Sequence, residues 1–170
     1  MFLKLGLIGL ILAVATGVLA VLGTTAQGTP ASGVTAVTAR GVLDPLWVNT
    51  RLANGARVRI KTRGAIELVT QRIEIAPLGS TGWHFHPGES VNVVQQGTVT
   101  LYHDEDCTVG VPYGPGTGTA FVTHPDEVHL ARNESTTETV VLFATYFHPK
   151  TTPPTAIRID APSPGEGCPQ

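Results

Sequence analysis

A chain of 170 residues with 42% apolar side chains can bury the core of one domain, while 14% charged residues and a formal net charge of −2 leave no basic run. Nucleic acid is thereby excluded as a partner class, because its phosphates demand clustered lysine and arginine. The 23 threonines give an uncharged polar surface that suits an exported protein.

The first segment, residues 1–26, reads MFLKLGLIGLILAVATGVLAVLGTTA, and Lys4 is its only charge. Residues 5–22 are apolar or small apart from Thr16. This is the pattern of an apolar helix serving as a secretory signal peptide or a membrane anchor, and it stands apart from the fold. Thr24-Thr25-Ala26 offers small residues for cleavage after Ala26, which is the favoured reading, although an apolar run over 5–22 approaches the length of a membrane-spanning helix. The protein is therefore expected to be exported, secreted or anchored, and to meet a membrane only through this segment.

Residues 27–44 are small and polar and are expected to form a linker. Strand signals then dominate over 45–150. Arg57-Val58-Arg59-Ile60-Lys61 alternates polar and apolar residues, the period of a half-buried strand. The run AIELVTQRIEIAP over 65–77 is rich in β-formers, but its alternation slips near Leu68-Val69, which predicts a β-bulge. Short runs follow (WHFH, SVNVVQ, TVTLY, TAFV, EVHLA, TVVLFATYF), separated by turn residues such as Pro87-Gly88, Gly97 and Pro125-Asp126. No long stretch repeats apolar residues at helical spacing. Many short strands punctuated by glycine and proline predict an all-β sandwich or barrel. Residues 151–170 form a proline-rich tail that is expected to wrap the surface. Cys107 and Cys168 are the two cysteines, and in an exported chain they are expected to form a disulfide that ties this tail to the body.

The chemistry-bearing residues lie in two segments. His84 and His86 are two apart, so on a strand both leave the same face while Trp83 and Phe85 leave the other. His129 stands in EVHLA, after a turn at Pro125-Asp126. Two histidines from one strand and a third from another can converge on a cation in an open transition-metal site. Each has a plainer reading as a hydrogen-bonded core histidine. His103 and His124 are expected on the surface, His148 at a barrel rim, and Asn133 as a brace for its turn. Asn133-Glu134-Ser135 also has the pattern of a glycosylation acceptor.

With both segments in view, the sequence resembles the cupin family of small jelly-roll β-barrels. Gly79, His84, His86 and Gly97 follow the family's first motif, with four residues instead of five between Gly79 and His84. Gly118, His129 and Asn133 fall at the spacing of the second motif, with His124 and Asp126 in place of a proline and a glycine. The resemblance implies a metal shell of three histidines and one glutamate. Ser90 occupies the glutamate's position and Glu89 stands one residue early, which leaves three histidines, with Glu89, Asn92 or water as alternatives for the fourth place. Such barrels bind a divalent metal and a small organic ligand, and some act as dioxygenases, isomerases or lyases. A non-catalytic module that binds metal or a small molecule is the second reading, and a structural cell-surface domain the third. Val91, Val93, Phe121 and Phe143 are candidates to line the barrel, with the inward parity left open. A homodimer is a further expectation.

Three neutral imidazoles leave the ion's charge uncompensated and would favour an anionic ligand. Nitrogen donors favour zinc or copper, and iron stays open because three-histidine relatives use it. Binding is expected to weaken as pH falls toward about 6, where free imidazole protonates.

Overall fold

A computed structural model describes residues 28–151 and 153–170. The expected signal or anchor helix over 1–26 lies outside the described residues. Among these, twelve strands and no helix are found: β1 (Ser32–Leu43), β2 (Trp47–Arg51), β3 (Arg57–Lys61), β4 (Ile66–Ser80), β5 (His84–Phe85), β6 (Glu89–Gln96), β7 (Val99–His103), β8 (Val111–Tyr113), β9 (Ala120–Thr123), β10 (His129–Arg132), β11 (Val140–Pro149) and β12 (Ile159–Asp160). β2 and β3 form a hairpin of their own, and the others join one antiparallel sheet. That sheet curls into a nearly closed jelly-roll barrel. β4 is its central element, flanked by β1 on one edge and β11 on the other.

The interior is set by strand parity. Val69, Ile73 and Ile75 of β4 meet Leu142, Ala144 and Tyr146 of β11, with Val94, Leu101, Phe121 and Ala131 completing the core. Full burial of each large aliphatic side chain contributes about 1.5–3 kcal/mol. This parity answers the question of what lines the barrel. Phe121 faces in, as do Ser90, Asn92 and Val94, whereas Val91, Val93 and Phe143 stand exposed on the outer face. Of the candidates whose parity was open, Phe121 lines the barrel and Phe143 does not: Leu142, Ala144 and Tyr146 occupy the inner face of β11 and turn Phe143 outward.

Two local expectations also change. Residues 32–43, read as part of a linker, form β1 and pair with β4 from Val34 opposite Ile75 to Leu43 opposite Ile66. Almost every β1 residue is exposed, so it carries no apolar signature; the backbone ladder to β4 makes it a strand. The predicted bulge at Leu68-Val69 is absent, since β4 keeps register from Ile66 to Ile75 against both neighbours. Its alternation slips because polar Glu67 and Gln71 share the inward parity of Val69 and Ile73. They are satisfied there by Arg40 Nη1, 2.9 Å from Glu67 Oε2, and by Thr38 Oγ1, 2.9 Å from Gln71 Nε2. The irregularity falls instead between Ser32 and Val34, opposite the end of β4 where Leu78 has a φ of 59°.

The tail does wrap the body. β12 pairs with β5, and Ala161 packs with Trp83 and Leu130 in a second apolar cluster. Trp83 Nε1 donates to Pro169 O at 2.8 Å. Cys107 and Cys168 form the expected disulfide, with Cα atoms 5.2 Å apart across 61 positions of sequence. Closing a loop of that length stabilises the fold by about 4 kcal/mol in the chain-entropy picture.

Candidate metal centre

The three histidines are brought together by register and by one turn. β5 pairs with β10 so that His84 stands directly opposite His129, and partners in an antiparallel pair share a face. His86 follows β5, where the chain turns at Pro87-Gly88. A Cβ on Gly88 would lie 2.1 Å from Phe147 O, so only glycine lets the turn approach β11 this closely. The carbonyl of His86 accepts from Asp126 N at 3.0 Å, locking the second histidine segment onto the first. Asp126 has a φ of 61°, a left-handed conformation that aspartate tolerates better than most residues, which explains how it replaces the glycine of the resembled motif.

His84, His86 and His129 are 5%, 4% and 3% exposed, and their ring centroids lie 4.5–5.1 Å apart. Each Nδ1 is committed to a backbone carbonyl: His84 to Gly82 O at 2.8 Å, His86 to Ile157 O at 2.6 Å, and His129 to Glu127 O at 2.9 Å. A carbonyl only accepts, so each Nδ1 carries the proton and each Nε2 keeps its lone pair. One ligand atom from each ring lies within 4.8 Å of the others. Three nitrogens on one ion at metal–nitrogen bonds near 2.1 Å stand within about 4 Å of one another, somewhat closer than this spacing. The residues present thus fit a divalent metal.

Electrostatics keep the rings neutral. Burial, reinforced by the charges that His129 and His86 would carry, holds His84 well below the usual imidazole range. Burial lowers His86 to about 3 and His129 to about 4. The expected loss of binding near pH 6 therefore moves to lower pH, because protons compete for Nε2 only once these depressed values are approached.

The position of the resembled glutamate is filled by a neutral network. Ser90 Oγ lies 2.7 Å from Thr123 Oγ1 and accepts from Asn92 Nδ2 at 2.8 Å, and all three residues are buried. Glu89, the possible fourth ligand, points outward on β6 and pairs with exposed His124 at 2.9 Å. Alternation along β6 excludes it from the cluster: if Ser90 faces in, Glu89 faces out. Glu127 is likewise engaged outside, with its side chain 2.7 Å from His103 Nδ1.

Several nearby residues were not legible as parts of the site. Tyr146 stacks against His86 at a centroid distance of 4.8 Å, and burial raises its phenol well above the usual value. Ile157 and Arg158 arrive from the tail; the alternating run AIRID inside a proline-rich segment was the one hint of a strand there. His148, next to the end of β11, is fully buried, and neither ring nitrogen has a hydrogen-bond partner among the described residues. Asn133 is a brace, as expected: its Nδ2 donates to Ile75 O, Ala76 O and Glu138 O, and it is fully buried. An amide so committed is closed to glycosylation in the folded chain.

Two spaces adjoin the histidines. A cavity of about 40 Å³ lies inside the barrel, bordered by the three histidines, Ser90, Asn92 and Thr123. A larger groove of about 450 Å³ runs outward from His84 and His86, between β1 and the tail.

Residues 71–146 match the family model described as Cupin domain. Among solved structures, the chain is similar to the polyketide cyclase RemF from Streptomyces resistomycificus, at 22% identity over 81% of this chain and 80% of that one, with a TM-score of 0.48. It is similar to a cupin domain from Bordetella pertussis Tohama I at 22% identity over 63% of this chain and 98% of the other, with a TM-score of 0.40. A predicted oxalate decarboxylase from Thermotoga maritima gives 18% identity over 60% and 93%, with a TM-score of 0.40. No curated protein matches the chain.

Proposed function

From its membership of the cupin superfamily, carried by residues 71–146, we propose that this protein holds one divalent metal ion on His84, His86 and His129 and uses it to bind, and to act on, a small organic ligand. The observation that carries the reading is the commitment of all three Nδ1 atoms to backbone carbonyls, which leaves the Nε2 lone pairs free on three buried rings that each offer a ligand atom within 4.8 Å of the others. When bound, a divalent metal with three protein ligands supplies Lewis acidity at positions left open to the ligand.

The chain's own residues define the rest. Ser90, Thr123 and Asn92 offer hydroxyl and amide groups at the inner cavity without adding charge. Tyr146 contributes an un-ionised phenol beside His86. A shell without carboxylate leaves the ion's charge to be balanced by the ligand. Zinc or copper suits three imidazoles, and iron fits the same donors.

A non-catalytic, ligand-holding role is the second reading. It is favoured by the absence of any carboxylate among the described residues bordering either space beside the histidines. The disulfide is consistent with an extracellular location, and export belongs to the proposal on that ground. Elemental analysis of protein purified from its natural compartment should give one metal per chain, and His86→Ala should abolish it. Unchanged metal in that variant would sink the assignment. Oxygen uptake with diketones, thiols and phenols would then separate catalysis from simple holding.

A further inference from the structure

The groove outside the histidines carries two guanidinium groups that are only partly used. Arg158 lines it from the tail and Arg40 from β1, with apolar contributions from Val34, Ile73 and Ile157. A guanidinium offers five N–H donors. Arg158 directs Nε and Nη2 to Asp160 Oδ1 and Nη1 to Thr81 O, which leaves one donor on each terminal nitrogen. Arg40 directs Nη1 to Glu67 Oε2 and Thr155 O, which leaves Nε and Nη2 without a partner among the described residues. Glu67 and Asp160 each answer one arginine, and no carboxylate is among the described residues that line the groove. Arg158 also stands close enough to the centre for its charge to act on His84, His86, His129 and Tyr146.

Free N–H donors in a fork geometry recognise carboxylates bidentately, and a groove of about 450 Å³ has the size of a small-ligand site. We propose that this groove binds a small monocarboxylic acid with an apolar body. Its carboxylate lies against the Arg158 and Arg40 guanidinium groups, and its body rests on Val34, Ile73 and Ile157. The same groove reaches His84 and His86 of the three-histidine centre, so this placement rests on the metal reading above. The tail is then part of the binding site as well as a cover. The same segment supplies Arg158, the Ile157 carbonyl that orients His86, and the strand partner of β5.

Calorimetric titration of the zinc-loaded full chain with 3-phenylpropanoate and with the neutral 3-phenylpropanamide tests the proposal. The acid is expected to bind at least about tenfold more tightly than the amide, as charge-assisted hydrogen bonds imply. Arg158→Gln and Arg40→Gln should each remove most of that preference while metal content stays at one per chain. Arg158→Lys, which keeps the charge, should retain part of it, and Arg40→Gln reads the groove from β1 with Arg158 left in place. Equal binding of acid and amide by the wild type, or an undiminished preference in both glutamine variants, overturns the proposal. Failure of the wild type to take up zinc would refute the metal assignment instead, and the acid-against-amide comparison on metal-free protein would still read the arginines.

Discussion

The buried histidines make the metal-free protein acid-sensitive in a calculable way. His86 has a native value of about 3 and His129 of about 4, against an ordinary imidazole value of 6.5. Above pH 6.5 neither the folded nor the unfolded state binds the extra protons, and these groups give no pH dependence. Below it the unfolded chain binds them and the native chain does not, so stability falls by about 1.4 kcal/mol per pH unit for each histidine. By pH 4.5 the loss is roughly 2–3 kcal/mol from each of His86 and His129. His84 shifts in the same direction. A total near 5 kcal/mol rivals the whole stability of a modest domain. Urea denaturation with a chelator present, between pH 7.5 and 4.5, measures it. His86→Asn is the informative control, because its amide can still donate toward Ile157 O but does not titrate. Carboxylates contribute equally to both proteins, so the variant should lose roughly 2–3 kcal/mol less over this range. Parallel stability curves for wild type and variant would refute the reasoning. Metal that binds only the native state should oppose the loss, adding about 2.7 kcal/mol when free metal is a hundredfold above its dissociation constant.

Asn133→Ala removes the donor from three backbone carbonyls at once and should cost about 2–4 kcal/mol in urea denaturation, as unsatisfied buried groups do. A loss below about 1 kcal/mol would mean that water replaces the amide. Cys168→Ser opens the 61-position disulfide loop and should lower stability by roughly 2–4 kcal/mol. It should also weaken metal affinity, because the tail carries the carbonyl that orients His86; an unaltered metal titration would show that the contacts of Trp83 and Ala161 hold the tail unaided.

Part of this architecture is legible locally. Alternating runs with glycine and proline between them specify strands, because strand period and turn chemistry are properties of neighbouring residues. The spacing of His84, His86 and His129 pointed to one centre, and the cysteine pair to one bridge, because residue types as sparse as these have few alternative partners. Asn133 was read as a brace since its position after a strand suits a turn.

Other features depended on the whole barrel. Alternation in SVNVV sets Val91 and Val93 against Ser90, Asn92 and Val94, and the structure buries the more polar of the two faces. β6 pairs Ser90 with Tyr146 of β11 and with Thr123 of β9, which turns Ser90 inward and Glu89 out toward His124. β1 escaped notice because its inward parity carries Ala36, Thr38 and Arg40, whose partners Ile73, Gln71 and Val69 lie more than thirty positions or nearly thirty positions away on β4. The contact of Ile157 O with His86 spans 71 positions, and the disulfide beneath it 61. Such contacts leave no periodic trace in either segment. They exist because curling the sheet brings distant edges together, and there the backbone groups of the tail find hydrogen-bond partners they could not find locally.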